Sequence, residues 1–257
     1  MQFDELDARM RIFETAHDLR VLPGLWMVAR IDGRNFTRLT KETLDFERPF
    51  DHRFRDLMIA TAEHLMTCGF RVVYGYTQSD EISLLLHRGE SSFGRKERKL
   101  NSILAGEASA RFSTLAHALG AFDCRISQLP GDDLVVDYFR WRAEDAHRNA
   151  LNAHCFWRLR GEGLGAEEAA RRLAGLSVAA KNELLFERGL NFNDLPAWQK
   201  RGVGLYWETY AKTGLNPLTG ETVSASRLRL KRDLELPRKD GYEALLRGLL
   251  ESDSPPA

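Results

Sequence analysis

Apolar positions along this chain recur at two different periods. Residues 25–31 read LWMVARI, a short run bounded by Pro23-Gly24 and by Asp32-Gly33, which is how a buried strand is punctuated. Over residues 53–68, Leu57, Ala60, Thr61, Leu65 and Cys68 return at helical spacing, and Gly69 stands where a C-terminal cap belongs. Residues 71–76 and 82–86 are β-rich and flank a polar stretch at 77–81, which predicts a hairpin. A second helical pattern fills 95–119 through Leu100, Leu104, Phe112, Leu115 and Leu119 and stops at Gly120; residues 122–129 then predict a strand closed by Pro130. Asp132 or Asp133 caps a helix running to about residue 160, and shorter helices follow at 166–173 and 178–188, the last stopped by Gly189. Residues 202–237 alternate at VGLYWETY and SRLRLKRDLEL, predicting a late hairpin, and the end ESDSPPA is expected to fray. There is no internal repeat and no linker long enough to impose two independent domains.

Composition narrows the class of protein. At 257 residues with 43% hydrophobic and 29% charged positions, the chain can bury a core and has ordinary globular makeup. No apolar run approaches membrane-spanning length, and the acidic start MQFDELDARM lacks the features of an export signal, so a cytoplasmic protein is expected. Cys68, Cys124 and Cys155 are odd in number and widely spaced, which argues against disulfides and zinc, and the Asn35-Phe36-Thr37 sequon has no meaning in that compartment. Basic and acidic residues balance at 37 each, so any surface for nucleic acid must be a local patch.

Two suggestive patterns lead nowhere. GEGLGA at 161–166 follows a helix where a dinucleotide fingerprint requires a strand, and no Gly-Lys-Ser/Thr occurs, so it reads as a connector. His147 and His154 are seven residues apart on one helical face, a spacing open to a metal but more often used for ordinary hydrogen bonds.

The carboxylates carry more. Asp32 follows the first strand in RIDGRNFTR, and Asp80 and Glu81 occupy the hairpin turn in YGYTQSDEISLLL. If those strands are neighbours in one sheet, the acids converge. Two ionised carboxylates about 4 Å apart repel by roughly 4 kcal/mol at an effective dielectric near 20, a cost that a divalent cation reverses. Hard oxygen ligands of this kind suit magnesium shared with substrate phosphates, and Gly33 lets its carbonyl come close enough to serve as a neutral ligand. Read singly, each stretch is also compatible with a plain turn. Strand-Asp-Gly, helix, then a hairpin carrying Ser-Asp-Glu is the order in which polymerase palms present metal ligands.

Five blocks, RIDGRNFTR, TQSDEISLL, FDCRISQLP, DYFRWRAEDAHRNALNAHCFW and KNELLFERGLNFNDLP, resemble in order and spacing the tRNA-His guanylyltransferase family and its like-proteins, over about residues 3–207. The resemblance implies an α+β fold. It has a palm-like ferredoxin-type antiparallel sheet packed with helices over 1–140, and a helical and β-hairpin extension over 141–257 packed with it as one unit. It implies a nucleotidyltransferase adding nucleotides in the 3′-to-5′ direction to the 5′ end of tRNA, with two magnesium ions and with GTP and ATP as substrates. Asp32, the Gly33 carbonyl and Asp80 match the metal ligands, and Glu81 the acidic neighbour, with a catalytic role or a turn-supporting one. Gly33, Arg34, Asn35, Phe36, Thr37 and Ser79 match the GTP-contacting loop. Arg48, Lys96 and Lys99 match basic positions near the triphosphate or the RNA 5′ end.

For RNA the candidates are Arg142, His147 and Asn149, within basic stretches at 95–99, 140–148 and 227–232, with Trp141 or Tyr138 available to stack or to pack. The family's eukaryotic members resemble one another through His-Ile-Asn-Asn-Leu-Tyr-Asn, whereas residues 147–153 read HRNALNA. That departure favours the like-protein branch, which extends 5′-truncated tRNAs. A homotetramer is the assembly the resemblance implies. A palm-type nucleotide cyclase or diguanylate cyclase, and a non-catalytic RNA-binding module, remain alternative readings of the paired acids.

Overall fold

Within residues 26–34 the side chains divide between two cores. Met27, Ala29 and Ile31 enter one, Trp26 and Val28 the other, so this strand must be covered on both faces. In the computed structural model, which describes residues 2–215 and 222–252, the chain runs through α1 (Phe3–Thr15), β1 (Trp26–Arg34) and a short α2 (Phe36–Arg38) continued by a π-helical turn at Leu39–Thr43. It continues through α3 (His52–Leu65), β2 (Val72–Gln78), β3 (Glu81–Leu86), α4 (Glu97–Ala116) and β4 (Ala121–Leu129). Then come α5 (Asp132–Gly161), α6 (Ala166–Leu173), α7 (Val178–Phe186), α8 (Ala197–Arg201), β5 (Val203–Leu215), β6 (Thr222–Asp233) and α9 (Asp240–Glu251). The tip of the late hairpin and the end expected to fray from Asp253 onward lie outside the described residues.

All strands pair antiparallel in one sheet of order β4-β1-β3-β2-β5-β6. The first four strands, with α3 and α4, make the ferredoxin-type βαββαβ unit, and the fold is α+β as the sequence implied. On one face Met58, Ile59 and Leu65 of α3 and Leu100, Leu104 and Phe112 of α4 close the core over Ile31, Ile82 and Leu84. On the other, Val135, Val136 and Phe139 of α5 and Tyr242 and Leu246 of α9 cover Val28, Tyr74 and Leu85. The 30 residues of α5 span about 45 Å, long enough to leave the sheet and build a third core with α6 and α7 through Ala150, Leu151, Cys155, Leu159, Leu173 and Leu185.

Four residues of β5, Val203 to Tyr206, pair with β2; beyond them the hairpin pairs with itself alone and stands out from the sheet. The sheet is therefore continuous from the palm-like part into the extension.

Three features depart from the sequence pattern. β1 does not stop at Ile31, because β4 pairs along its whole length and carries it through Asp32, Gly33 and Arg34. The helices α1 and α9 do not figure in the pattern, although Phe3, Leu6, Met10 and Phe13 in one and Tyr242, Leu246 and Leu249 in the other fall at helical intervals. No described helix is long and apolar enough to cross a membrane.

The start of α3 illustrates how local chemistry places an element. Asp51 is buried and caps the helix by accepting from Arg53 N at 2.6 Å, while its other oxygen accepts from Glu47 N at 2.8 Å. Burial opposes ionisation here, yet the Arg53 guanidinium and the two backbone N–H groups hold the carboxyl down to about 2. A depressed carboxylate stabilises the fold above its unfolded value and stops doing so as pH falls through its folded one. Asp51→Ala is expected to lose about 1–2 kcal/mol of unfolding free energy at neutral pH. In denaturant titrations the gap from wild type should narrow as pH drops from about 4 toward 2.

Candidate active site

Register brings the acids together. Asp32 of β1 stands directly opposite Glu81 of β3, and Asp80 lies one residue earlier in the two-residue turn between β2 and β3. Gly33 N donates to the Asp80 carbonyl at 3.0 Å, which fixes the turn against β1. Ser79 takes a left-handed φ of 53° to make that turn. Gly33 is required for a different reason from a tight turn: a Cβ there would sit 2.5 Å from Cδ2 of Phe36, whose ring is locked in the core against Phe112 and Phe122.

Burial pushes the Asp80 carboxyl above its ordinary range, and the charge of Asp32 adds to the rise. On the opposite side of β1, Asp123 of β4 faces Asp32 in register, and Arg125 reaches both, at 4.0 Å from Asp32 and 3.5 Å from Asp123. Among the described residues no three His, Cys, Asp or Glu side chains form a metal-holding group. A cation at Asp32 and Asp80 would therefore rest on two carboxylates and the Gly33 carbonyl, with water and phosphate oxygens completing its shell. That donor set, all oxygen and short of protein ligands, fits magnesium.

Glu81 has another partner. Arg142 of α5 donates to both its oxygens, Nε and Nη2 each at 2.7 Å, with the side chains only 13% and 11% exposed, and Arg30 Nε stands 3.9 Å away. Arg142 also reaches Asp145 at 3.3 Å. Glu81 is thus part of a strut between the turn and α5, in keeping with the turn-supporting one of its two expected roles, and Arg142 is engaged by Glu81 and Asp145. The sequence hid the pair because 61 residues separate its members.

The loop after Gly33 turns at Asn35, whose φ is 60°. Arg34, Asn35 and Thr37 are exposed beside the carboxylates, whereas Phe36 packs beneath them, so its contribution is to anchor the loop. A cleft opens from Asp80, Ser79 and Thr37 toward Lys41, Arg48, Phe50, Phe54, Trp157 and Trp198. Arg48 donates to the Lys41 carbonyl at 2.9 Å and lies 4.8 Å from the Trp157 ring, with the Lys41 ammonium at 5.1 Å from the same ring. Arg55 stands 4.7 Å from the Trp198 ring. Sequence reasoning found Arg48 but missed Lys41, Arg55, Trp157 and Trp198; the tryptophans lie more than a hundred residues downstream, on α5 and α8.

Lys96 and Lys99 do not reach this cleft. They lie at the start of α4, where Glu97 receives a hydrogen bond from Gln128, and Gln128 pairs with Met27, about 16 Å along β1 from Asp32. Lys96 is instead ion-paired with Asp18 at 2.5 Å, and Lys99 is exposed. The antiparallel run of α4 against the sheet puts its first turn at the opposite edge.

Of the RNA candidates, Asn149 is exposed and donates to Asp145 at 3.1 Å, and His147 is half-buried with its ring 5.3 Å from that of Phe192. His154 meets the same ring at 5.9 Å, so the shared helical face of the two histidines serves packing on an aromatic. Tyr138 is buried and contacts the Ser83 hydroxyl at 3.3 Å, while Trp141 is exposed beside Arg142. In the 227–232 stretch Arg229 and Lys231 pair with Glu208 and Arg232 with Glu63. GEGLGA joins α5 to α6, and the three cysteines are free, with burial pushing Cys124 up to about 12.

Two family models match the chain, one described as tRNAHis guanylyltransferase over residues 7–130 and one as the Thg1 C terminal domain over residues 133–239. A probable tRNA(His) guanylyltransferase of Drosophila melanogaster is 36% identical over 196 residues, covering 72% of this chain and 68% of that protein. Among solved structures, a bacterial tRNA(His) guanylyltransferase (Thg1)-like protein in complex with ATP superposes with a TM-score of 0.74 at 27% identity over 96% of this chain and 100% of the other. The complex of such a protein with GTP gives a TM-score of 0.72 at 26% identity and the same coverage. The paired acids at the β1 and β3 ends therefore sit in a nucleotidyltransferase scaffold, and the chain belongs to the tRNA-His guanylyltransferase family.

Proposed function

We propose that the protein adds nucleotides in the 3′-to-5′ direction to the 5′ end of tRNA, using magnesium and taking GTP and ATP as substrates, and that 5′-truncated tRNAs are its preferred acceptors. The observation that carries this reading is the meeting of Asp32 and Asp80 beside a cleft that offers Ser79, Lys41 and Arg48 to a triphosphate. Solved like-proteins in complex with GTP and with ATP support the choice of nucleotides.

Asp32, Asp80 and the Gly33 carbonyl are the groups that would hold magnesium, which when bound neutralises triphosphate charge and lowers the pKa of an attacking hydroxyl. The protein's own part is positioning. Backbone N–H groups of the loop beyond Gly33, residues 34–37, and the Ser79 hydroxyl take phosphate oxygens, and Lys41 and Arg48 exchange their contacts on Trp157 for the triphosphate. The faces of Trp157 and Trp198 offer apolar cover to a base. Arg142 is a positioning residue, because its two hydrogen bonds to Glu81 hold the turn that carries Asp80. A 5′-phosphate oxygen of the RNA first attacks the α-phosphorus of a triphosphate and expels pyrophosphate; the 3′-hydroxyl of the incoming nucleotide then gives up its proton, attacks the activated 5′ phosphorus and expels the nucleoside monophosphate. Both reacting hydroxyl and leaving group come from the substrates, so no side-chain nucleophile is needed.

Preference for truncated tRNA rests on HRNALNA. Ala150, which replaces an Asn of the eukaryotic stretch, is fully buried, so the departure takes a polar side chain out of this core. Assembly into a homo-oligomer, a tetramer by resemblance, is supported by α1, which buries no residue and exposes Phe3, Met10, Ile12 and Phe13.

Replacing either acid, Asp32→Ala or Asp80→Ala, should abolish nucleotide addition while leaving tRNA affinity within a few-fold of wild type; undiminished turnover in either variant would reject the metal assignment. With labelled acceptors, a tRNA lacking its first 5′ nucleotide should be extended faster than intact tRNA-His, and the reverse preference would overturn the repair assignment.

A further inference from the structure

We propose that Lys200, Arg201 and Arg238, with His147 beside them, form a phosphate-binding site for the RNA backbone, adjacent to the active site and separate from the nucleotide cleft. The inference rests on the tRNA reading above and adds to it a second place of contact.

Four chain segments build the cluster. The Phe192 ring gathers His147 of α5, with ring centroids 5.3 Å apart, and the ammonium of Lys200 of α8, 6.0 Å from the ring centroid. Arg201 Nε donates to the Leu236 carbonyl at 3.0 Å, two residues before Arg238 on the connection from β6 to α9. Lys200 is only 3% exposed, and its ammonium donates at 2.5 Å to the Asn193 carbonyl, a neutral acceptor. Arg201 Nη1 is buried with no partner in the protein, and Arg238 is exposed. Among the described residues none of Lys200, Arg201 and Arg238 has an ion-pair partner.

Here positive charge is gathered with no ion pair to any acid among the described residues. Arg142, largely inaccessible, has Glu81, and Arg95, which is buried, gives its N–H groups to the carbonyls of Val21, Leu25, Arg88 and Glu90. In the Lys200 cluster the effect is visible at His147, Lys200 and Arg201. Burial lowers the pKa of His147, Lys200 and Arg201, and repulsion from Arg238 lowers each further; the exposed acids Glu235 and Asp194 offset only part of this at Lys200. An arrangement that costs the free protein stability and is relieved by an anion is what a phosphate site requires.

Its position points to RNA. A Cβ at Gly202 would lie 2.6 Å from the Thr77 carbonyl, so the end of α8 is clamped on β2 three residues before Asp80, about 10 Å along the strand. None of the four residues lines the cleft that holds Lys41, Arg48 and Trp157. A strand whose 5′ end is at Asp80 can therefore lay an adjoining phosphate on this cluster.

The test is tRNA affinity as a function of salt, between about 50 and 200 mM, for wild type, Arg238→Gln and Arg201→Gln. Each variant should reduce the slope of log K against log salt by about one and weaken tRNA binding several-fold. Affinity for ATP alone should not change, and Arg238→Gln, relieved of repulsion, should melt no lower than wild type. Because Arg201 also holds the Leu236 carbonyl, the exposed Arg238 is the deciding position. An unaltered slope and affinity in Arg238→Gln would overturn the site while leaving the proposed function standing. Weakened ATP binding with tRNA binding intact would assign the cluster to a free triphosphate and overturn the RNA assignment. Absence of tRNA binding by the wild type would instead remove the functional reading and this inference with it.

Discussion

The pairing of β1 between β3 and β4 is the constraint on which the rest depends. Because side chains alternate with a strict period of two, the register that sends Met27, Ala29 and Ile31 into one core fixes Asp32 on the opposite face. A slip by one residue would bury Asp32 among leucines and expose Ile31. The apolar positions of β1, more than any interaction at the acids themselves, therefore hold the carboxylates where they are. The hydrogen bond from Gly33 N to the Asp80 carbonyl then transmits that register to the turn.

The acids gathered there are kept apart in their roles by their neighbours. Glu81, on the same face as Asp32, is neutralised by Arg142 and held in a near-buried ion pair. Arg125 stands between Asp32 and Asp123 at longer distance and is itself half exposed. Asp80 and Glu81 are both buried with the charge of Asp32 nearby, and burial raises both carboxyls; Glu81 has Arg142 to offset this, whereas Asp80 has no ion-pair partner among the described residues. The burial that no basic side chain offsets is thus that of Asp80, beside Asp32. The same principle recurs with opposite sign at Lys200, Arg201 and Arg238, where positive charge is assembled with acids nearby that offset only part of it. Both places favour a ligand of the opposite charge, a cation at one and a phosphate at the other.

Much of this was legible in the sequence, for identifiable reasons. The strand, helix and hairpin that carry Asp32, Asp80 and Glu81 are short-range patterns with clear punctuation at Gly33, Gly69 and the Ser79 turn. What escaped depends on contacts between distant segments. Arg142 looked like free basic charge on a helix because nothing local reveals Glu81 across from it. Lys96 and Lys99 were placed near the triphosphate or the RNA 5′ end by resemblance alone, which carries no information on where α4 starts, at the far end of the strands from Asp32. Trp157 and Trp198 gave no signal, since an aromatic on a helix reads as core whether it faces a core or a cleft. The extension of β1 through Asp32 was invisible for a similar reason, as Asp-Gly is turn chemistry unless a partner strand such as β4 continues the pairing.

The central claim is that Asp32, Asp80 and the Gly33 carbonyl share a cation with substrate phosphates. The most direct measurement is the anomalous scattering of manganese, substituted for magnesium, in crystals grown with a non-hydrolysable GTP analogue. The account predicts a manganese peak directly coordinated by an oxygen from each of these three groups and by a phosphate oxygen. A peak coordinated by only one of the two carboxylates, or by neither, would contradict it.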